Sequence, residues 1–403
     1  MKKAILFFTL VAMMSCTIAN AHRQPLPGKP TVFALDASVL AASKSKIAAK
    51  NADVLPAYKQ LIKDADEALK FGPVSVMEKK NSPPSGDKHD YMSLAPYFWP
   101  DPTKADGLPY IRKDGQTNPE VKEYKDKEYL PKLCEEVYTL GLAYYFSEEK
   151  MYAAHAAKLV RVWFLDAATR MNPNLNFGQA IKGVNTGRGA GMIDIRHFIK
   201  LVDGINLLQG SKYWTKEDQE GMQQWMADFL DWMQTSKIGI DEMNAENNHG
   251  AFYEAVRLSL ALFTNNKELA AKSIAKAQER LDKQMDANGA FPKEMERTIS
   301  LHYTSFAMEA FFYIAQMSEK AGADFWNYTS PSGKSLKKGF DVLRPYLVQE
   351  KNWEGQQIKP FEYEEGYPLL LQAGSYLNCK NCRDEVKQMS GDKSNRLLIN
   401  LIY

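Results

Sequence analysis

The chain has 403 residues, with 51 basic and 49 acidic side chains, a formal charge of +2 and 45% apolar content. That composition is enough to build a sizeable core. It supplies no basic excess of the kind that holds nucleic acid or an anionic membrane surface, although a groove that gathers the positive side chains can still hold an acidic polymer.

The chain starts MKKAILFFTLVAMMSCTIANA, in which Lys2 and Lys3 precede an apolar run over 4–14 and a small-residue exit at Ala19-Asn20-Ala21. Residues 1–21 therefore read as an export signal, which implies a periplasmic or secreted protein. The apolar run is too short to span a bilayer, and no other stretch approaches that length. Cys16 is an alternative exit, at which lipidation would tether the protein to a membrane. Without residues 1–21 the acidic and basic residues are equal in number. Residues 22–403 are expected to form one domain and a monomer.

From Ser38 onward, apolar residues recur at steps of three and four, which predicts helices near 38–50, 53–71, 120–146, 149–167, 190–209, 215–235, 250–265, 267–287, 300–321, 334–348 and 361–377. Alternating strand patterns are almost absent. Short polar links such as Thr264-Asn265-Asn266 make neighbouring helices antiparallel hairpins. No fixed repeat period supports a solenoid. The predicted class is all-α, an α/α toroid: an incomplete barrel of antiparallel helical hairpins with a cleft where helix ends and loops meet.

Two interruptions stand out. Between Pro73 and Pro119 lies a helix-poor stretch crowded with Pro, Gly and aromatics, among them Tyr91, Tyr97, Phe98, Trp99 and Tyr110. Long ordered loops of this kind are usually functional, and flat rings with polar edges suit the face of a sugar; Tyr91 and Trp99 are the candidate binding residues. The competing reading of each ring is that it plugs the loop onto the helices. The second stretch, NFGQAIKGVNTGRGAGMIDIRHF, places Asn185, Arg188 and Arg196 among glycines. It lacks the Gly-Lys-Ser/Thr ending of a phosphate loop. The glycines are expected to let the backbone approach a ligand, with Asn185 and Arg188 available to a substrate carboxylate. Arg196 is either a second such partner or half of a structural ion pair.

Further along, Asn247, Asn248 and His249 open a helix. One Asn is explained as an N-cap; the second Asn and the His are not. About fifty residues later comes NGAFPKEMERTISLHYTSF, in which Arg297 sits just ahead of a helix and Tyr303 on its first turn. Near the C-terminus, Cys379 and Cys382 form an isolated CKNC pair, read as a local disulfide. No His has a second His at helical spacing, so neither a metal nor another cofactor is expected.

The run Asn247-Asn248-His249, then Gly289-x-Phe291-Pro292-x-Glu294, then Arg297 and Leu301-x-Tyr303, resembles the core of the alginate lyase family over roughly residues 246–316. The resemblance implies an α/α toroid that cleaves 4-linked uronic acid polymers by metal-free β-elimination. It assigns Asn248 and His249 to the family's Asn-His pair, Arg297 to its arginine and Tyr303 to its catalytic tyrosine, with Asn247 beside the substrate. His302 matches no catalytic position and is read as a packing or supporting residue. The proline-rich aromatic loop around 88–101 is unlike the short mannuronate lyases.

The residue types suit that chemistry on their own terms. A proton beside a carboxylate is very weakly acidic until the carboxylate's charge is offset, which Arg, amide or imidazole donors can do. Tyr303 can act as base, acid or both if positive charge from Arg297 lowers its pKa. Alternatively His249 is the base and Tyr303 protonates the leaving oxygen. A rival hydrolase would need two carboxylic acids roughly 5 to 10 Å apart, for which Asp194, Glu246, Glu294, Glu296 and Glu362 are candidates. A glycan-binding protein without turnover is the second rival, supported by the aromatic loop.

Overall fold

The computed structural model describes residues 30–403; the expected export signal and Cys16 lie outside these. The helices in chain order are α1 (Ala37–Ala48), α2 (Leu55–Ala68), α3 (Lys125–Ser147), α4 (Lys150–Val160), α5 (Phe198–Asn206), α6 (Lys216–Thr235), α7 (Lys237–Met243), α8 (Asn248–Phe263), α9 (Lys267–Gln284), α10 (Pro292–Met295), α11 (Ser300–Ser318), α12 (Leu336–Leu347), α13 (Tyr367–Tyr376), α14 (Cys382–Ser390) and α15 (Ile399–Ile402). Helices α3, α5, α8, α11 and α13 pack on one another in succession as an inner arc. An outer layer of α4, α6, α9, α12 and α14 backs them. The architecture is an α/α toroid.

The sequence of each helix explains its layer. In α8 nearly every side chain is buried, including Ala251, Ala255, Leu258 and Ala261, so it has no solvent face. In α9 burial is confined to Leu269, Ala270, Ser273, Ile274, Ala277, Arg280 and Leu281, the single apolar stripe of an outer helix. The two are joined by a buried ion triad in which Glu254 is held 2.6 Å from Arg257 and 3.3 Å from Arg280. Such a triad is costly to break, since removing one member strands the others without water.

Several boundaries differ from the periodic reading, each for a local reason. The helix expected over 149–167 stops at Val160 and continues as a π turn, Arg161–Leu165. The helix expected over 190–209 is divided: glycines 189 and 191 lie in a 3₁₀ segment, Gly189–Ile195, and regular helix starts only at Phe198. Pro368 sits in the first turn of α13, so that helix starts at Tyr367 and not at 361. The short helices α7, α14 and α15 are not visible as periodic runs. Cys379 is joined by a disulfide to Cys382, the first residue of α14.

The two interruptions hold the strands. β1 (Met92–Leu94) pairs in parallel with β4 (Phe177–Ala180), which ties the first loop to the second; β2 (Phe98–Trp99) pairs antiparallel with β3 (Ile111–Arg112), with Phe98 opposite Arg112. At two to four residues each, these strands are too short to show an alternating pattern. They fold the long loop back toward the N-terminal ends of α8 and α11.

Candidate active site

At the start of α8 the three residues Asn247, Asn248 and His249 have three different tasks. Asn247 is the N-cap, its side chain accepting from the His249 N–H at 3.3 Å. Asn248 is fully buried and clamped by Glu294 of α10: its backbone N–H donates to Oε1 at 2.5 Å and its Nδ2 to Oε2 at 2.7 Å. The Asn248 Oδ1 is buried without a partner. His249 remains partly exposed, and its Nδ1 lies 2.7 Å from Oε1 of the buried Glu242 on α7. A carboxylate only accepts, so Nδ1 carries a proton, and in the neutral ring the lone pair is left on Nε2.

Tyr303, 7% exposed, stands on the first turn of α11. The Arg297 guanidinium lies 3.6 Å from the centre of its ring, and its hydroxyl is 2.9 Å from that of Tyr97, carried in by the long loop. Arg297 is already engaged: Nε and Nη2 donate to the two oxygens of Asp114 at 3.0 and 2.7 Å, a bidentate fork. Asp114 also accepts from the Thr298 N–H and hydroxyl and from Arg112. Glu294 feels the charges of both Arg297 and His249, which makes the four expected residues one cluster.

Burial and charge set the protonation states. Burial works against the Asp114 carboxylate, but Arg297 and the Thr298 N–H outweigh it and hold Asp114 well below the usual carboxylate range. Burial first, then the neighbouring Tyr97, push the Tyr303 phenol well above its ordinary value; Arg297 opposes them and loses. Arg297 thus lowers the Tyr303 pKa as expected, but burial and Tyr97 outweigh it, and the phenol stays above its ordinary value in the free site. Burial also raises Glu294, against the two hydrogen bonds from Asn248.

Other expected residues are placed differently. Tyr91 is not a sugar platform: it is 0% exposed, and its hydroxyl donates to Asp194 at 2.9 Å. Trp99 is half-buried, its indole N–H donating to the Gln116 carbonyl while the Lys113 ammonium sits 5.3 Å from the ring centre. Asn185 closes a turn, its Oδ1 accepting from the Ile181 N–H. Arg188 is turned inward, with Nη2 on Gln179 at 2.8 Å, the Phe98 ring 5.2 Å away and Nε buried without a partner. The glycines of this stretch approach protein backbone and not a ligand. A Cβ at Gly189 would stand 2.9 Å from the Glu242 nitrogen, and one at Gly191 would stand 2.5 Å from the Gly178 carbonyl oxygen. Close packing at Gly189 is what brings α7, and with it Glu242, up to His249.

Sequence reasoning missed Glu242, Asp114 and the clamp made by Glu294. Glu242 precedes His249 by seven positions on a helix too short to be recognised. Asp114 comes from 183 positions away, with no local signal to link it to Arg297.

The five carboxylates considered for a hydrolase do not assemble a free pair. Asp194 is enclosed by Tyr91, Ser93, Gln179 and Lys127. Glu294 is spent on Asn248, Glu246 pairs with Lys293 on the surface, and Glu296 and Glu362 are exposed. Among the described residues the only His, Cys, Asp and Glu side chains close enough to share a metal ion are Cys379, Cys382 and Glu385, and the two sulfurs there are bonded to each other. No described helix is long and apolar enough to cross a membrane.

Comparison with known proteins agrees with this geometry. Residues 75–353 match the family model for alginate lyase. An alginate lyase from Bacteroides ovatus is 40% identical, with a TM-score of 0.88 over 93% of this chain and 99% of that one. Two structures of alginate lyase A1-III share the fold at low identity. One, complexed with tetrasaccharide, is 16% identical with a TM-score of 0.59 over 89% of this chain and 91% of that one. The other, from Sphingomonas species A1, is 17% identical with a TM-score of 0.53 over 85% and 94%. No curated protein sequence matches the chain. The matched span takes in Asp114, Glu242, the Asn-His pair, Glu294, Arg297 and Tyr303, and with that coverage and identity the chain belongs to the alginate lyase family and is a polysaccharide lyase acting on uronic acid polymers.

Proposed function

We propose that the enzyme is exported and cleaves 4-linked uronans, alginate first among them, by β-elimination at the cluster of His249, Tyr303, Arg297 and Asn248. The observation that carries this reading is the pairing of an open His249 Nε2, backed by Glu242, with a Tyr303 hydroxyl kept protonated by burial. His249 removes the C5 proton. The C5–H electrons form the C4=C5 double bond as the C4–O bond breaks, and Tyr303 gives its proton to the departing oxygen. The phenolate left behind lies against Arg297, whose charge stabilises it until solvent returns its proton and takes up the one held by His249. In that assignment the acid begins in the protonated state that burial favours. The substrate carboxylate is offset by the side of the Arg297 guanidinium that Asp114 leaves open and by the second Nδ2 proton of Asn248, the first being donated to Glu294. The leader over 1–21 supports export, and glucuronan is the second substrate to test.

The decisive experiment follows unsaturated uronate by its near-ultraviolet absorbance across alginate, its mannuronate and guluronate blocks, glucuronan and hyaluronan. An absorbing product from alginate is expected, unchanged by chelator. Reducing ends without absorbance would mean hydrolysis, and binding without any product would mean a glycan-binding protein.

A further inference from the structure

Glu242 and His249 meet across a tight connection, since α7 ends at Met243 and α8 starts at Asn248. A contact made over such a link lasts only if the link itself is held, and the carbonyls that leave the end of a helix begin without helical partners. Here they are gripped by two side chains of the outer helix α9 that stand one turn apart. Arg280 donates from Nη1 to the Ala245 carbonyl at 2.7 Å and from Nη2 to the Met243 carbonyl. Gln284 donates from Nε2 to the Asn247 carbonyl at 3.1 Å. Three alternate carbonyls of the link thus end on α9.

Arg280 is itself fixed in place. It is buried, and its Nε faces the fully buried Glu254 of α8 at 3.3 Å, so the remaining edge of the guanidinium is anchored on the helix that carries His249. A Cβ at Gly250, the residue after His249, would overlap both the Ala245 carbonyl oxygen and Arg280 Nη1; only glycine lets the guanidinium lie against the start of α8. The planar group serves two carbonyls and a carboxylate from three nitrogens at once. An ammonium, a single point of charge, cannot reach all three.

We propose that Arg280, assisted by Gln284, is a positioning residue for the base: by pinning the link over 243–247 it holds Glu242 of α7 against Nδ1 of His249 on α8, and so fixes which ring nitrogen carries the proton. The inference rests on the lyase reading for the task of His249, whereas the hold on the ring depends on geometry alone. Arg280 and Gln284 act through Glu242 and His249 and are not catalytic residues.

The test compares wild type, Arg280→Lys and Gln284→Met by steady-state kinetics on alginate, thermal melts and nitrogen NMR of histidine-labelled protein, in which the His249 signals are identified by their absence from a His249→Gln sample. Ring nitrogens with and without a proton resonate far apart, so the spectrum of the neutral ring reads the tautomer directly. Wild type is expected to show the proton on Nδ1. Arg280→Lys, which keeps a charge beside Glu254 but loses the fork, should mix the tautomers and lower kcat by about tenfold with KM near wild type, and Gln284→Met should do the same to a smaller extent. Arg280→Lys decides the matter if it folds; if it does not, Gln284→Met decides it, because Gln284 lies outside the buried ion triad. A wild-type tautomer signature in the deciding variant overturns the proposal, whatever happens to its kcat or its melt, since a merely structural arginine would lower stability and leave the ring proton where it is. A wild-type His249 without the proton on Nδ1 overturns it as well. If wild type yields no unsaturated product from any uronan, the lyase reading falls separately, and the tautomer comparison still decides whether Arg280 holds the ring.

Discussion

The site has two halves that are built differently. One is carried by helix ends: Asn248 and His249 at the start of α8 and Tyr303 at the start of α11, braced by the buried carboxylates of Glu294 and Glu242. The other is carried by the long loop, which lays the Tyr97 hydroxyl on Tyr303 and Asp114 on Arg297 from 206 and 183 positions away. Helix ends hold side chains within narrow limits because the helix and its buried braces fix the rotamer, whereas a loop adjusts. The groups proposed to react thus sit on the helix-borne half. The loop-borne half sets their electrostatic surroundings, since Tyr97 contributes to the raised pKa of Tyr303 and Asp114 balances Arg297.

That division makes the helix-borne half the more sensitive. Tyr303→Phe removes only a hydroxyl from a ring that still packs, and turnover should fall on the order of 10²–10⁴-fold with an unchanged melt; turnover within tenfold of wild type would take Tyr303 out of the acid–base role. Arg297→Lys should cost about 2 kcal/mol in kcat/KM, because an ammonium cannot keep the fork on Asp114 and also cover the Tyr303 ring. If Arg297→Lys is kinetically silent, that arginine serves only the loop. Glu294→Ala leaves the Asn248 N–H and Nδ2 buried without acceptors. It should destabilise the protein by about 2 kcal/mol and lower kcat/KM roughly tenfold as Asn248 loses its orientation. A normal melt with normal kinetics would show that the clamp is idle.

The smallest effect should come from the loop. Tyr97→Phe keeps the burial that dominates the Tyr303 shift and deletes only the second cause, so the Tyr303 pKa should fall modestly. If Tyr303 must be protonated to act as the acid, the alkaline limb of kcat/KM then moves to lower pH, and activity changes by only a few-fold near neutrality. Movement of the acid limb instead would identify Tyr303 as the base.

Much of this was legible in the order of residues. Period-3.6 patterning predicts the inner and outer helices because a helix buried on one stripe must repeat its apolar residues along that stripe. It fails where a helix is short or capped by glycine and proline, as at α7 and at Gly189–Ile195. Asn248, His249, Arg297 and Tyr303 could be singled out because each stands at a helix start, within a motif that local sequence keeps together.

The partners of these residues were decided by tertiary structure. Nothing near Arg297 in sequence selects Asp114 over Glu294 or Glu296; the choice was made when the β2–β3 hairpin folded over α11. Nothing in the composition of the aromatic loop separates Tyr91, which is buried on Asp194, from Tyr97, which reaches Tyr303. The direction of the Tyr303 shift also depends on how deeply the ring is enclosed and on whether the nearby arginine already has a counter-ion. Side-chain chemistry and helical period are local properties and survive in a string of letters, whereas burial and long-range charge pairing exist only once the chain has closed on itself.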